Sequence, residues 1–166
     1  MQRVVLSLLA DNNSGVLSRI CGLFSRRGYN IESVTAGVTA DPKYSRITIV
    51  TCGDEEVIEQ IEKQVAKLED VKAVKKLVPD ASVYRELCLI KVRAVPSDRE
   101  NVVALSGIFR GNIIDVGPDS LIIEVIGTQS KNDAFIGLLD GYEILELART
   151  GIAGLSRGSE DVTYLP

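Results

Sequence analysis

Residues 4–24, with the sequence VVLSLLADNNSGVLSRICGLF, contain the signals of a strand, a turn and a helix in immediate succession. Valine and leucine dominate the first six residues, which indicates a buried strand. The segment Asp11–Gly15 consists of turn and helix-capping residues. Apolar residues then recur at helical spacing. Arg26 and Arg27 followed by Gly28 are typical of a helix end.

The pattern of strands and helices continues along the rest of the chain and is interrupted once, at residues 79–83. Pro79 and Asp80 predict a linker there. Before the linker, we expect strands at 31–38, 47–52 and 71–78, with a second helix beginning at Asp54. After the linker, the same order is repeated. The second set has strands at 87–95, 113–116, 121–126 and 142–148, a helix after a capping box at 97–100, and a helix at 131–139.

This order predicts an α+β chain made of two ferredoxin-like βαββαβ domains. We expect the first domain at 1–78, the linker at 79–83 and the second domain at 84–155. Glycine, serine and charged residues dominate 156–166, which predicts a mobile tail. Because units of about 75 residues leave part of their sheet uncovered, a homodimer is expected.

Composition excludes several classes of function. The chain has no histidine, which removes His-dependent catalysis and His-ligated metal sites. The net charge is −4 and basic residues occur only in scattered pairs, so nucleic acid is not an expected partner. The three cysteines, Cys21, Cys52 and Cys88, are far apart and lack metal-ligand or disulfide spacing. Buried thiols in a reducing cytosol are the expectation.

The chain begins directly with a strand pattern whose apolar stretch is too short for a signal peptide or a membrane span. We therefore expect a cytoplasmic protein without a membrane partner.

The segment Asp11–Leu17 is the candidate ligand site. A helix start presents unpaired N–H groups that can bind a carboxylate, and Gly15 permits close approach to the backbone. Asn12 and Asn13 offer amide oxygens to an ammonium group, and Asp11 offers a negative charge. Val16 and Leu17 add apolar surface, so a small aliphatic zwitterion is the predicted ligand. Ordinary helix capping explains the same residues equally well.

A second segment, Gly28–Glu32, permits two interpretations at this point. Gly28 is suited to a helix end, and Asn30 at the start of a strand would reach a ligand only from a neighbouring subunit.

A longer run of residues resembles a known family. The run DNNSGVLSR at 11–19, followed by GLFSRRGYNIES at 22–33, is similar to the ACT domain of acetolactate (acetohydroxyacid) synthase small subunits. FRGNIIDV at 109–116, ELARTG at 146–151 and LSRG at 155–158 agree as well. Asp11 departs slightly, since the family often has Glu there.

The resemblance implies a regulatory subunit in branched-chain amino acid biosynthesis, with no catalytic site and no cofactor of its own. Its partner is a catalytic large subunit, on which thiamine diphosphate, magnesium and FAD are expected. The small subunit activates that partner and confers feedback inhibition by valine, with leucine and isoleucine as further candidates. The effector lies at an ACT dimer interface, where one chain supplies Asn12, Ser14, Gly15, Val16 and Leu17 and the other supplies Asn30 and Ile31. Gly15→Asp is then expected to abolish valine inhibition and to spare activation.

Three other functions compete with this interpretation. A stand-alone ACT-type sensor that regulates another enzyme or a transcription factor would have the same fold and ligand site. An enzyme that works through Cys or Asp/Glu is disfavoured by the missing histidine. An RNA binder of the RRM type needs exposed aromatic residues on its sheet, and only 5% of the chain is aromatic.

Overall fold

A computed structural model of the chain describes residues 2–159 and divides the chain into two compact units. Among the described residues, one unit comprises residues 2–83 and 152–159, and the other comprises Tyr84–Gly151. The first unit has the order β1 (Gln2–Asp11), α1 (Val16–Arg26), β2 (Ile31–Val38), β3 (Tyr44–Gly53), α2 (Glu55–Val65) and β4 (Val71–Leu77). A short 3₁₀ turn, Pro79–Ala81, follows within the expected linker.

The second unit repeats this order. It contains β5 (Ser82–Arg93), α3 (Arg99–Ile108), β6 (Asn112–Val116), β7 (Ser120–Gly127), α4 (Gln129–Leu138) and β8 (Ile144–Arg149). A further strand, β9 (Ala153–Ser156), follows and pairs with β5. The sheets have the strand orders β2-β3-β1-β4 and β6-β7-β5-β8, and all pairs in these orders are antiparallel. The predicted α+β fold with two ferredoxin-like βαββαβ units is confirmed.

The two hydrophobic cores form because side chains point alternately to the two faces of each central strand. In β1 every second side chain, from Val4 to Ala10, is buried against α1 and α2. Ile20 and Phe24 of α1 and Ile58 and Ile61 of α2 complete that core, and all four are at most 2% exposed. In the second unit, the corresponding cluster joins β5 and β7 to Val102 and Phe135 of the helices. Each sheet therefore carries both of its helices on one face.

A buried polar cluster ties β5 to β8 and α4 in the second unit. Glu86 is 4% exposed, and Arg149 donates to its carboxylate from Nε at 3.1 Å and from Nη2 at 2.8 Å. Asn132 donates to the same carboxylate at 3.1 Å. Burial opposes ionisation of Glu86, but the bonds from Arg149 and Asn132 outweigh it and lower the pKa of the carboxyl. This cluster fixes the start of β5 against the end of β8.

Several local features of the structure differ from the sequence-based expectations. The predicted capping box at 97–100 is wrong, because α3 begins after Asp98 and no side-chain cap bond forms there. Strand β9 was not predicted, because it is only four residues long and contains Gly154, a residue that usually indicates a loop. Residues 152–159 group with the first unit, although the expected second domain extends to residue 155. Arg157 donates its backbone N–H to Ala81 at 2.7 Å, within the predicted tail. Residues 160–166 of that tail lie outside the described residues.

Within residues 2–159, no helix is long and apolar enough to cross a membrane. The same residues contain no group of three or more His, Cys, Asp or Glu side chains placed to hold a metal ion.

Candidate functional site

A cavity of about 270 Å³ lies beside the turn that joins β1 to α1. The turn forms one wall, and the ends of β2 and β3 form the other. Its lining consists of Asp11, Asn12, Asn13, Val16, Leu17, Ala36, Gly37, Val38, Ser45 and Ile47. The structure therefore brings five of the predicted site residues together around one space. Ser14 and Gly15 belong to the same turn but do not line the cavity.

Gly15 determines the shape of the turn. It is the residue immediately before α1, and its φ of 85° lies in the left-handed region that favours glycine. A Cβ at this position would also lie 3.1 Å from Nη1 of Arg19. Gly15 thus acts on the site through the backbone, and its contribution is conformational.

Asn12 holds the turn onto the neighbouring loop. Its Nδ2 donates to the carbonyl of Pro42 at 2.9 Å, and its Oδ1 accepts from Oγ of Ser45 at 3.1 Å. Its backbone N–H donates to the carbonyl of Lys43 at 2.7 Å. The side chain is therefore fixed in place, and its carbonyl oxygen keeps one further lone pair for a donor in the cavity.

Two ion pairs surround the turn. Asp11 lies 2.8 Å from Nζ of Lys72, and Arg19 lies 2.6 Å from Asp70. The hydrogen bond that Lys72 donates to Asp11 raises the pKa of the Lys72 ammonium, and the bond that Arg19 donates to Asp70 lowers the pKa of Asp70. The negative charge of Asp11 is thus partly compensated within the chain, and only Oδ2 makes the ion pair with Lys72.

The start of α1 supplies hydrogen-bond donors. Val16 N–H bonds the carbonyl of Asn13 at 3.4 Å, and Arg19 N–H bonds the carbonyl of Gly15 at 2.9 Å. Across the described chain, the N–H groups of Leu17 and Ser18 have no hydrogen-bond acceptor. Two free amides at a helix start form an anion-binding arrangement.

The apolar wall comes mainly from residues that the sequence did not single out. Val16 and Ile47 are almost fully buried, whereas Leu17 and Val38 are 42% and 60% exposed. Strand β2 contributes Ala36, Gly37 and Val38 to the lining. Periodicity predicts that these residues belong to a strand, but it does not show which loop the strand end approaches. The necessary signal would have been the long-range pairing of β1 with β3, which places Asp11 opposite Tyr44.

Asn30 and Ile31 lie at the other end of the sheet. Ile31 pairs with Thr51 of β3, whereas Asp11 pairs with Tyr44 of the same strand. The two ends are roughly 23 Å apart at about 3.3 Å per residue. Within one chain, Asn30 and Ile31 therefore do not reach the cavity. The carbonyl of Asn30 accepts a bond from Oγ1 of Thr51, which fixes that end of β2.

The strand order and the two helices on one face give the first unit a ferredoxin-like fold, and comparison with known proteins identifies it as an ACT domain. The model of the AHAS small subunit-like ACT domain matches residues 6–73. The model named small subunit of acetolactate synthase matches residues 85–158.

Relatives cover nearly the whole chain. The acetolactate synthase isozyme 3 small subunit of Salmonella typhimurium is 52% identical over 95% of this chain and 98% of its own length. The probable acetolactate synthase small subunit of Methanothermobacter thermautotrophicus is 49% identical over 93% of each. The crystal structure of the acetolactate synthase small subunit from Thermotoga maritima has a TM-score of 0.89 at 43% identity, over 96% of this chain and 99% of that one. The chain belongs to the family of acetolactate synthase small subunits, which are regulatory subunits of a branched-chain amino acid pathway.

Proposed function

We propose that this chain activates a catalytic large subunit of acetolactate synthase and makes it sensitive to feedback inhibition by valine. The observation that carries the proposal is the cavity of about 270 Å³ in which five predicted site residues meet two strand ends. Thiamine diphosphate, magnesium and FAD belong to the catalytic partner in this proposal, and the small subunit contributes no group to the chemical step.

The cavity offers a separate environment to each part of an aliphatic amino acid. The free N–H groups of Leu17 and Ser18 receive the carboxylate. Oδ1 of Asn12 and the second carboxylate oxygen of Asp11 accept from the ammonium group. The side chain lies against Val16 and the apolar end of β2. A cavity slightly below the ~300 Å³ lower limit of ordinary ligand pockets suits a ligand of this size.

A second copy of the chain completes the site in this proposal. Strand β2 is an edge strand, so its outer hydrogen-bonding groups are available to another strand. In an antiparallel pair of β2 strands around a twofold axis near Val34, Ile31 of the partner subunit lies opposite Val38. Asn30 of the partner subunit then lies beside the cavity. This arrangement explains how residues at opposite ends of one strand serve a single ligand.

Inhibition follows from a difference in affinity. If valine bridges two subunits, it stabilises one geometry of the paired domains over another. A catalytic subunit that prefers the other geometry then loses activity, with a coupling free energy of typically about 1–3 kcal/mol. We assign effector binding to the first domain, residues 1–78.

Leu17→Asp tests the site in the reconstituted enzyme. It places a carboxylate beside the amides that receive the effector carboxylate, while an acidic residue in the first helical turn favours the fold. Leu17 is 42% exposed, so the core is unaffected. We expect the valine concentration for half inhibition to rise at least tenfold, with activation retained. This variant is cleaner than Gly15→Asp, which strains the backbone at a φ of 85°.

Val103→Asp is the matched control, because Val103 is 46% exposed on α3 of the second unit. It is expected to leave valine inhibition unchanged. Equal valine sensitivity of the Leu17→Asp and control proteins would contradict the proposed site. Failure of the unmodified chain to activate any acetolactate synthase large subunit would instead favour a stand-alone sensor.

A further inference from the structure

A second concavity lies at the opposite end of α1 from the effector cavity. Its volume is about 630 Å³, and it is lined by Leu23, Arg26, Arg27, Tyr29 and Gln60. We call it the arginine cleft. None of its lining residues takes part in the proposed effector site.

The charge of the arginine cleft is of one sign. Two guanidinium groups line it, and no carboxylate does, although the chain as a whole has a net charge of −4. Among residues 2–159, no carboxylate forms an ion pair or hydrogen bond with Arg26. Arg27 donates from Nη2 to the neutral amide of Gln64 at 3.1 Å. Both cations are therefore available to an external anion.

The walls of the cleft are well fixed. Tyr29 packs edge-on against the buried Phe24, with ring centroids 6.0 Å apart and an interplanar angle of 84°. The N–H of Tyr29 also bonds the carbonyl of Phe24 at 2.9 Å. Leu23 is 8% exposed and gives the floor an apolar part. A fixed aromatic wall with adjacent guanidinium groups is typical of a protein contact surface.

Helix α1 connects the cleft to the effector cavity. Val16 and Leu17 at its start line the cavity, and Leu23 and Arg26 at its end line the cleft. The helix has 11 residues and is about 16 Å long. Because a short helix packed on a sheet moves as one body, a shift of its start on ligand binding also shifts the arginines.

We propose that the arginine cleft is a docking site for an acidic segment of the catalytic subunit, and that α1 links this contact to the effector cavity. The inference rests on the proposed function, since it names the surface of the small subunit that contacts the catalytic subunit during activation and inhibition. Carboxylate side chains fit the occupant because guanidinium groups bind them in a bidentate manner and the amide of Gln60 in the lining adds a neutral donor.

The experiment measures activation of the catalytic subunit by increasing amounts of Arg26→Glu protein. We expect at least a tenfold higher concentration for half-maximal activation, because two carboxylates then face each other. Calorimetric titration of the same variant with valine is expected to give an affinity within twofold of the unmodified chain. Arg26→Lys keeps the charge and should recover part of the activation.

Lys76→Glu is the control, because Lys76 is exposed on β4 of the same unit and makes the same change of charge. Activation by Arg26→Glu at the concentrations that suffice for Lys76→Glu would overturn the docking site. Saturable binding of inorganic phosphate that Arg26→Glu abolishes, with activation unchanged, would overturn it too and identify a small-anion site. If the unmodified chain activates no large subunit, the proposed function fails before this test applies.

Discussion

At the scale of single residues, two glycines in the same unit have opposite roles. Gly15 requires its left-handed φ of 85°, where a side chain costs roughly 1–2 kcal/mol. Gly22 lies inside α1, where an added Cβ would meet only Nη1 of Arg26 at an ordinary 3.6 Å. The sequence predicts that Gly15 lies at a helix start and Gly22 in a helix interior. Only the backbone angle in the structure shows that Gly15 must be glycine and Gly22 need not be.

Gly15→Ala is therefore expected to lower the free energy of unfolding by about 1 kcal/mol or more. Gly22→Ala, the matched substitution, is expected to raise it by up to about 1 kcal/mol because alanine favours a helix interior. Denaturant unfolding of the two variants beside the unmodified chain measures both changes. A stability gain in Gly15→Ala would show that the turn does not need its left-handed residue.

Glu86 gives the second unit a pH-dependent stability. Its pKa is lowered in the folded state, despite burial, by the bonds from Arg149 and Asn132. A lowered carboxyl pKa contributes stability that is fully present above the unfolded value of 4.5 and is lost as the pH falls through the folded value. We expect the denaturant midpoint of the second unit to fall below about pH 4.5.

Glu86→Gln removes that ionisation and isolates its contribution. The variant is expected to be less stable at pH 7, because Arg149 loses its ion pair with the buried Glu86 carboxylate and keeps only the exposed Asp133 as a partner. Its stability should also change less between pH 6 and pH 4 than that of the unmodified chain. A pH dependence that is identical in the two proteins would assign the effect to other carboxylates.

At the scale of elements, the hydrophobic pattern carries most of the fold. Strand β2 begins and ends at the predicted residues, and α1 spans the predicted helical repeat. The position of Ala36–Val38 beside the β1–α1 turn was not predictable, because it depends on the pairing of β1 with β3, a long-range contact that local spacing does not contain. The engagement of Asn12 by Pro42 and Ser45 has the same cause.

The edge strands β2 and β6 both end in an exposed valine, so matched substitutions can show which of the two strands forms the dimer. Val38 at the end of β2 is 60% exposed, and Val116 at the end of β6 is 61% exposed. A lysine at position 38 would place a charge against the apolar Ile31 of the partner subunit in the proposed pair. We expect Val38→Lys to weaken the dimer at least tenfold and Val116→Lys to weaken it less.

Sedimentation velocity over a range of protein concentrations measures both dissociation constants. A dimer that dissociates equally in the two variants, or only in Val116→Lys, would remove β2 from the interface.

At the scale of the whole molecule, the chain repeats one topology, but the two units have different polar residues in the turn between the first strand and the first helix. The first unit joins β1 to α1 through Asn12, Asn13 and Gly15, and the second joins β5 to α3 through Pro96 and Asp98. Proline provides no N–H group, so the second turn offers one donor fewer. The order of elements predicted this repeat, whereas β9 and its grouping with the first unit required the folded chain.

The central claim is that the turn between β1 and α1 receives a free aliphatic amino acid with the help of a second chain. A crystal structure determined in saturating valine tests it directly. The account predicts valine in the cavity, with its carboxylate on the amides of Leu17 and Ser18 and Asn30 of the partner subunit beside it. Valine bound elsewhere, or an empty cavity in a protein that valine inhibits, would contradict it.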